Sequence, residues 1–468
     1  MDFKKLYTWL QKPVSNTSIV LFRIVFSLCL LIQTYYFLSE GFVEENIIKP
    51  FTLFPFIDSI QPIENITVFN FLINPMMILA YIMLFSNIGM LFNKISRIST
   101  LIFFLCFTYF WLLDKGYFNN HYYFISIICF LIVIINPNSS FKKNIYVPRI
   151  SLICLQAMIF IIYFIAGINK LNPYWLIDMQ PMSHILETQA NETGNTFFIN
   201  PIVLGFVTYG GVFYDLTIGF LLLWKPTRAL GFILVFVFNI INYLLFKEIG
   251  EIGVFPLIMI STLILFIRPE SLDNLFKLNT KPKIKTTQHR WINIFIISFL
   301  FIQIIIPFRH LLIKGHVDYN TMGQRFSWRM KTMYKKPYTA GVIGFDIYLK
   351  TNGYKEKIAH VNLYNLEDFS DEYATSSMYL TQKQKTALLY YPDMLPIFCN
   401  QLEEVLKDYL SKQIKVDFDI IINAQCEMGF MGRAPQAVID PSVDLTRVSS
   451  SNTNTWMYKL QQSPWDLK

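Results

Sequence analysis

Long apolar runs alternate with short polar segments over the first two thirds of the chain. A bilayer core of roughly 30 Å needs about 20 apolar residues in a helix, or fewer where a short helix is buried in a bundle. Nine runs fit, of which the third and eighth are short: 17–38, 66–92, 99–113, 120–136, 149–171, 202–224, 229–246, 252–267 and 291–308. The pattern predicts an amphipathic N-terminal segment at 1–16 and a membrane domain of about nine transmembrane helices over 17–308.

The pattern changes after residue 308. Residues 339–365 alternate around a Thr-Asn-Gly turn, which predicts a β-hairpin. Residues 392–413 repeat apolar side chains on one helical face, and 414–423 alternate as a strand does. The predicted fold class is therefore a multi-span α-helical membrane domain followed by a β-rich α+β extracytoplasmic domain at 309–468.

Basic residues are concentrated in every second connecting segment. Segments 39–65 and 172–200, in contrast, hold almost no lysine or arginine. Because basic loops stay in the cytoplasm, nine crossings place the N-terminus inside and the C-terminal domain outside. The residues of the basic set are Lys4, Lys5, Lys12, Lys94, Arg97, Lys142, Lys143, Arg149, Lys225, Arg228 and those of 268–290.

The composition supports a membrane protein: 53% of the 468 residues are hydrophobic and only 15% are charged. Because the net charge of +8 comes from short loops between apolar runs, it indicates contact with the lipid bilayer and not with nucleic acid. Cys399 and Cys426 could form a disulfide, whereas the other four cysteines lie in apolar runs. No cysteine or histidine cluster has zinc-like spacing, so no metal is predicted.

The segment YFIAGINKLNPYW places Lys170 at the outer end of the fifth apolar run, where lysines are scarce. One interpretation is snorkelling, with Tyr174 and Trp175 in an interfacial aromatic belt. The other is a catalytic base, because desolvation disfavours an ammonium group and leaves a neutral amine.

Further polar residues are predicted at the same level. His121 begins the fourth run, with Asn119 or Asn120 placed to cap that helix. Asn239 and Asn242 fall within about 10 Å of the outer end of the seventh run. An interfacial histidine alone is commonly structural, but three helices that aim polar groups at one level indicate a site.

Arg23 and Asp215 are predicted to lie deep in the membrane. Asp215 is about 13 residues into its run, which places it nearly 20 Å below Lys170 at ~1.5 Å per residue. Arg23 has a similar depth from the other side, and an unpaired charge there is costly. A structural Arg23–Asp215 pair is therefore favoured over a catalytic carboxylate.

Several motifs resemble the vitamin K-dependent γ-carboxylase family and its bacterial relatives, the horizontally transferred transmembrane-domain proteins. They occur in family order along nearly the whole chain: FNNHYY at 118–123, FIAGINKL at 164–171, GGVFYDLTIGFLL at 210–222, PFRH at 307–310, FSW at 326–328 and RAPQAVIDPSVDL at 433–445. The resemblance implies an enzyme of a bacterial inner membrane that oxidises reduced vitamin K, menaquinol or phylloquinol, with O2 to an epoxide. In family members with both activities, this oxidation drives the carboxylation of a protein glutamate with CO2.

The resemblance also implies residue roles. Lys170 takes the role of the base that deprotonates the hydroquinone, and His121 that of the histidine assisting carboxylation. Asn120, Asn239, Asn242 and Trp175 are candidate quinone-binding residues. Structural roles are expected for His310 and Trp328, which would dock the outer domain, and for Gln436. Arg433, Asp440 and Asp444 are expected to form an ion-pair and turn network, which is favoured over a catalytic role.

Departures from the family pattern leave alternatives open. Asn239 stands in place of a histidine, and an asparagine cannot shuttle a proton near neutral pH. Gln324 and Met333 replace a tyrosine and a histidine linked to glutamate handling. Epoxidation is thus a firmer expectation than carboxylation, and a non-enzymatic membrane scaffold is the alternative. A transporter is a third hypothesis, although no inverted repeat is evident.

Overall fold

The computed structural model describes residues 3–68, 71–135, 146–246, 252–278, 290–338, 343–351, 353–373 and 377–461. The part of the chain before residue 309 is mainly helical. Its α-helices are α1 (Phe3–Leu10), α2 (Thr17–Ser39), α3 (Pro75–Gly89), α4 (Ser96–Leu112), α5 (Asn120–Ile135), α6 (Arg149–Asn169), α7 (Pro173–Leu176), α8 (Met182–Thr193), α9 (Pro201–Leu223), α10 (Arg228–Phe246), α11 (Phe255–Ser261), α12 (Pro269–Leu275) and α13 (Arg290–Ile305).

Five helical segments are long and apolar enough to span a membrane, within the described ranges: Thr17–Ser39, Arg149–Asn169, Pro201–Leu223, Arg228–Leu245 and Arg290–Leu312. A sixth candidate joins Phe255–Phe266 to Pro269–Leu275 across a 93° bend. Nine spans are therefore not supported. Helices α3, α4 and α5 have only 15, 17 and 16 residues, and even 17 residues extend only about 26 Å.

The second predicted span is shortened for a local reason. Most residues of 66–73 are apolar, but Ile66–Val68 and Phe71–Ile73 pair as two short antiparallel strands, β2 and β3. Asn74 then caps α3 by accepting from the backbone N–H groups of Met76 and Met77 at 3.0 and 3.2 Å. Since the side chain of Asn74 fixes where the helix begins, the apolar residues before it cannot extend it.

Helix α6 is the centre of the membrane domain. In α6, 72% of the apolar stretch of 18 residues is buried, whereas only 22% of the corresponding stretches in α10 and α13 is buried. Helices α10 and α13 therefore lie at the periphery. A short antiparallel pair, β1 (Pro13–Ser15) with β4 (Tyr146–Pro148), joins the chain before α2 to the start of α6. Lys142, Lys143, Lys247 and residues 279–289, which belong to the predicted loops, lie outside the described residues.

The C-terminal domain is built from two three-stranded antiparallel sheets, ordered β7-β6-β8 and β10-β9-β5. Their strands are β5 (Lys335–Pro337), β6 (Gly344–Thr351), β7 (Tyr354–Asn362), β8 (Asp419–Gln425), β9 (Glu427–Phe430) and β10 (Gln436–Ala437). The α-helices are α14 (Val317–Asn320), α15 (Leu366–Tyr373), α16 (Gln382–Tyr390) and α17 (Leu395–Ser411). The domain is mixed as predicted, but strands do not dominate among its described residues, because the four helices hold at least as many residues as the six strands and pack with them in one core.

The predicted hairpin and helix are present. Thr351 pairs with Tyr354 at the turn of β6 and β7, and Gly353 there has a φ of +91°, which favours glycine. Residues 339–342 of the predicted hairpin lie outside the described residues. Cys399 and Cys426 are both free and buried, so the suggested disulfide is not formed.

The C-terminal domain docks on the loop between α4 and α5. Buried Asp114 in that loop accepts a hydrogen bond from Gln384 Nε2 of α16 at 2.7 Å. The Tyr117 hydroxyl shares a 2.7 Å hydrogen bond with Thr381, the N-cap of α16. The start of α16 is therefore held directly by membrane-domain residues.

Lys335 makes the stability of the C-terminal domain depend on pH. Its Nζ donates to the carbonyl oxygens of Tyr319 and Tyr390 at 2.7 and 2.6 Å, and burial lowers its pKa to about 7. An unfolded lysine titrates near 10.4, so between these values the unfolded chain binds more protons and stability rises with pH.

We expect the free energy of unfolding to rise by up to about 2 kcal/mol between pH 7 and 9. Denaturant titrations of the whole protein in micelles should show this slope lost in Lys335→Met and kept in Lys336→Met, since Lys336 is exposed. Equal slopes in both variants would contradict the assignment.

Candidate active site

Lys170 and Asp215 form a buried pair. Lys170 is the C-cap of α6, and its Nζ lies 2.5 Å from Oδ2 of Asp215 in α9. The side chains are only 9% and 4% exposed. The expectations that Asp215 lies too deep to reach Lys170, and that it pairs with Arg23, are both wrong. The two opposite charges instead compensate each other's burial.

The depth argument fails because α9 does not begin level with the end of α6. Trp175, which follows Lys170 by five residues, donates its indole N–H to the carbonyl of Thr208 at 3.1 Å. The first two to three turns of α9, from Pro201 onward, therefore extend past the end of α6. Asp215 then lies beside the last turn of α6.

Gly167 allows this contact between α6 and α9. A Cβ atom at Gly167 would lie 2.8 Å from the side chain of Leu216 and 3.0 Å from its backbone nitrogen. Leu216 directly follows Asp215, so the close approach of the two helices brings the carboxylate to Lys170. The absence of a side chain at Gly167 is thus a condition for the pair.

We expect Gly167→Ala to destabilise the membrane domain by about 1–3 kcal/mol, because the added methyl group must push α9 away. Gly211→Ala is the matched control on α9, since a Cβ there meets nothing within 4 Å. Thermal unfolding in detergent micelles should lower the midpoint for Gly167→Ala alone. Equal midpoints in the two variants would show that α6 and α9 approach each other less closely at Gly167 than the structure shows.

The aromatic-belt and snorkelling interpretations are wrong, because Tyr174 and Trp175 are 0% and 2% exposed. The ring of Trp175 lies 4.9 Å from Lys170 Nζ and provides a cation–π contact. Tyr174 packs on Phe430 of the C-terminal domain, with ring centroids 5.3 Å apart. Lys170 therefore ends in a protein-lined environment and not at the lipid interface.

Arg23 is buried within α2 and bonds to groups at the start of α4. It donates to Ser96 Oγ at 2.7 Å and to Asn93 Oδ1 at 2.5 Å. These contacts join two helices of the bundle. Arg23 therefore has a structural role, as predicted, but its partners are not the predicted Asp215.

His121 lies in the first turn of α5, where its imidazole stacks on Phe255 with a centroid distance of 3.8 Å. Asn119, and not Asn120, caps the helix, because its Oδ1 accepts from the N–H of Tyr122 at 2.8 Å. The Asn120 amide instead donates to the carbonyl of Arg329 at 3.2 Å. Its Oδ1 is buried and has no hydrogen-bond partner among the described residues.

One segment of the C-terminal part of the chain contacts the neighbours of both predicted catalytic residues. Asn169, which precedes Lys170, donates to the carbonyl of Ser327 at 2.7 Å and accepts from Arg329 at 2.9 Å. Asn120, which precedes His121, donates to the carbonyl of the same Arg329. The fold thus brings the ends of α5 and α6 to one segment, 327–329.

Asn239 and Asn242 lie in the peripheral helix α10. Asn239 is buried, and its amide donates to the carbonyl of Val235 one turn earlier at 2.8 Å. Asn242 is half-buried. Their binding of a quinone stays a prediction, as it does for Asn120 and Trp175.

The motif at 433–445 does not form one network. Arg433 pairs with Asp178, in the loop after α7, and so ties the C-terminal domain to the membrane domain. Asp440 accepts from Ser442, and Asp444 from the N–H and hydroxyl of Thr446, as turn-forming residues do. Gln436 donates to the Tyr319 hydroxyl at 3.0 Å. The expected ion pairing of Arg433 within this motif is therefore wrong.

His310 and Trp328 lie where the last long helix meets the C-terminal domain. His310 Nδ1 is 2.8 Å from the carbonyl of Pro307, and Gly323 packs against its Cα. Trp328 is 1% exposed and stacks on Tyr123 of α5 with centroids 5.1 Å apart. Both residues thus contact the junction that they were predicted to stabilise.

Sequence reasoning did not identify Arg329 or Asn169 as parts of the candidate site. The only local signals were the proximity of Asn169 to Lys170 and of Arg329 to the FSW motif, and neither reveals a contact between residues 160 positions apart. Within the described ranges, no three His, Cys, Asp or Glu side chains are grouped so that they could hold a metal ion.

Residues 11–270, more than half of the chain, match the HTTM domain family. Residues 288–463 match the vitamin K-dependent gamma-carboxylase, lumenal domain. No solved structure matches the chain. The two matches follow each other as the membrane and C-terminal domains do, and together they cover the Lys170–Asp215 pair, His121 and segment 327–329. The chain therefore belongs to the vitamin K-dependent gamma-carboxylase family.

Proposed function

We propose that this protein is an integral membrane enzyme that oxidises a reduced quinone of the vitamin K type with O2. The observation that carries the proposal is the buried contact of 2.5 Å between Lys170 and Asp215. A lipid-soluble hydroquinone enters from the bilayer, and its ionisation requires a base in a site from which water is excluded. Trp175 lies next to Lys170 Nζ, so a quinone whose hydroxyl reaches the amine would also contact the indole ring.

The pair acts as a base through a proton relay. Lys170 passes a proton to the Asp215 carboxylate and takes one from the hydroquinone hydroxyl. The pair, initially without net charge, becomes singly positive, and the substrate becomes a quinolate anion. The ammonium of Lys170 then lies beside the new anion, where low dielectric strengthens their attraction.

The overall reaction balances without a metal or another reductant. One hydroquinone and one O2 give one quinone epoxide and one water. One oxygen atom enters the epoxide and the other leaves as water, and the hydroquinone supplies all four electrons. Menaquinol and phylloquinol both fit this chemistry, because both carry the ring double bond that becomes the epoxide.

Carboxylation of a protein glutamate with CO2 is the further activity proposed for the same site, with His121 assisting. His121 is oriented by its stacking on Phe255 and by the helix cap at Asn119. Taking the five long spans and a cytoplasmic N-terminus, we place the C-terminal domain outside the membrane, in the periplasm of a bacterial cell, where a protein substrate would reach it. One observation supports the alternative, a non-enzymatic membrane scaffold: the amide of Asn239 bonds within its own helix.

The test is an assay of purified protein with menaquinol or phylloquinol under O2, with and without a glutamate peptide and labelled CO2. Wild type should form epoxide, Lys170→Ala should not, and Lys49→Ala, an exposed control, should match wild type. His121→Ala should keep epoxide formation but lose label in the peptide. Epoxide formed equally by wild type and Lys170→Ala would refute the role of Lys170, and no turnover of either quinol by wild type would favour the scaffold.

A further inference from the structure

Arg329, near the proposed site, forms hydrogen bonds through both its guanidinium group and its backbone carbonyl. Its Nε and Nη2 donate to the two carboxylate oxygens of Asp318, each at 2.8 Å. Its Nη1 donates to Asn169 Oδ1 at 2.9 Å, and its carbonyl accepts from Asn120 Nδ2 at 3.2 Å. One residue of the C-terminal part of the chain therefore bonds both α5 and α6.

The Arg329–Asp318 pair is rigid and dry. The two side chains are only 7% and 2% exposed, and a bidentate geometry fixes the plane of the guanidinium group. Thr332 also donates to Asp318 at 3.1 Å. Burial is the largest single influence and opposes the ionisation of Asp318, but the Arg329 charge, the hydrogen bonds from Arg329 and Thr332 and the nearby His316 together outweigh it and keep the pKa of this carboxyl below its ordinary value. The Arg329–Asp318 pair therefore fixes the position of Arg329 and of the two groups that Arg329 contacts, Asn169 and Asn120.

The backbone around Arg329 is shaped for these contacts. Phe326, Trp328 and Lys331 have φ values of +62°, +54° and +53°, a region that non-glycine residues seldom adopt. This conformation turns the Ser327 carbonyl toward Asn169 and the Arg329 carbonyl toward Asn120. The hydrogen bonds to the two helix ends hold this strained segment in its conformation.

We infer that Arg329 is a positioning residue, which holds Asn169 and Asn120 so that the adjacent Lys170 and His121 keep a fixed separation. The inference rests on the proposed function for its catalytic consequence, but the tethering of the two helix ends is a property of the fold. Neither contact involves the substrate. Loss of Arg329 should therefore misplace the reacting groups without removing any of them.

The test compares Arg329→Met with Arg325→Met. Arg325 is a matched control because it is equally buried and pairs with Asp393 at 2.8 Å inside the C-terminal domain. We expect kcat for quinol oxidation to fall about 100-fold in Arg329→Met, as small misplacements of reacting groups do, with KM within about twofold. Arg325→Met should keep kcat near wild type. Arg329→Lys keeps the charge but cannot bond Asp318 and Asn169 together, so it should resemble Arg329→Met.

A second readout does not depend on turnover. Amide hydrogen exchange should accelerate at both 119–124 and 167–172 in Arg329→Met, at 167–172 alone in Asn169→Ala, and at neither in Arg325→Met. Unchanged exchange at both segments in folded Arg329→Met, or equal kcat values for the two arginine variants, would overturn the inference. If wild type itself oxidises no quinol, the exchange data still decide whether Arg329 tethers the helices.

Discussion

Asp215→Asn is expected to lower the rate of quinol oxidation about 10²- to 10⁴-fold, the range typical of a lost proton-transfer group. Asparagine has nearly the same shape and can still bond to Lys170, but it cannot accept a proton. The relay would then stop, because Lys170 could no longer pass its proton on.

The measurement is single-turnover epoxide formation with reduced menaquinone under O2, compared across wild type, Asp215→Asn and Asp215→Glu. Glutamate retains a carboxylate, so Asp215→Glu should recover part of the rate. Near-normal activity in Asp215→Asn would mean that Lys170 works as an isolated neutral amine. That is the role that the sequence alone predicts for Lys170.

The largest effect on stability is expected for removal of only one member of the same pair. Lys170→Met leaves the Asp215 carboxylate buried without its counter-charge, which should cost about 3–5 kcal/mol. Lys170→Met/Asp215→Leu removes both charges and fills similar volume with apolar groups. Since replacing a buried ion pair in this way is often neutral or stabilising, the double variant should regain most of the loss and stay inactive.

Resistance to unfolding by sodium dodecyl sulfate in mixed micelles measures this effect. Lys49→Met is the control, because the Lys49–Glu45 pair is about half exposed and exposed ion pairs contribute little to stability. If the single and double variants of the Lys170–Asp215 pair were equally unstable, the two side chains would not be compensating each other's charge.

The positions of the main helices followed from the apolar pattern, and so did the placement of Lys170 at the end of α6. The relative heights of the helices did not follow from the apolar pattern. The assumption that each span begins at a common level put Asp215 far from Lys170, whereas α9 extends past α6 and Gly167 lets the two helices touch. Relative height is set by side-chain packing between distant segments, which hydropathy does not encode.

Other expectations failed for similar reasons. The predicted span at 66–73 instead contains two short paired strands because a capping asparagine, Asn74, starts α3 late. The burial of Tyr174 and Trp175 depends on the docked C-terminal domain and on α9. Arg329 joins Asn169 over 160 positions of sequence. Local patterns thus identified the elements, whereas the tertiary contacts show which of the candidate residues lie together.

The most direct test of the account is made without O2, where the first proton transfer can be observed alone. Reduced menaquinone is mixed anaerobically with wild type and with Lys170→Met/Asp215→Leu, and the quinolate absorbance is compared at equal amounts of bound quinol. The proton relay predicts a quinolate band with wild type and none with the double variant. Bands of equal intensity in the two proteins would show that the Lys170–Asp215 pair does not deprotonate the substrate.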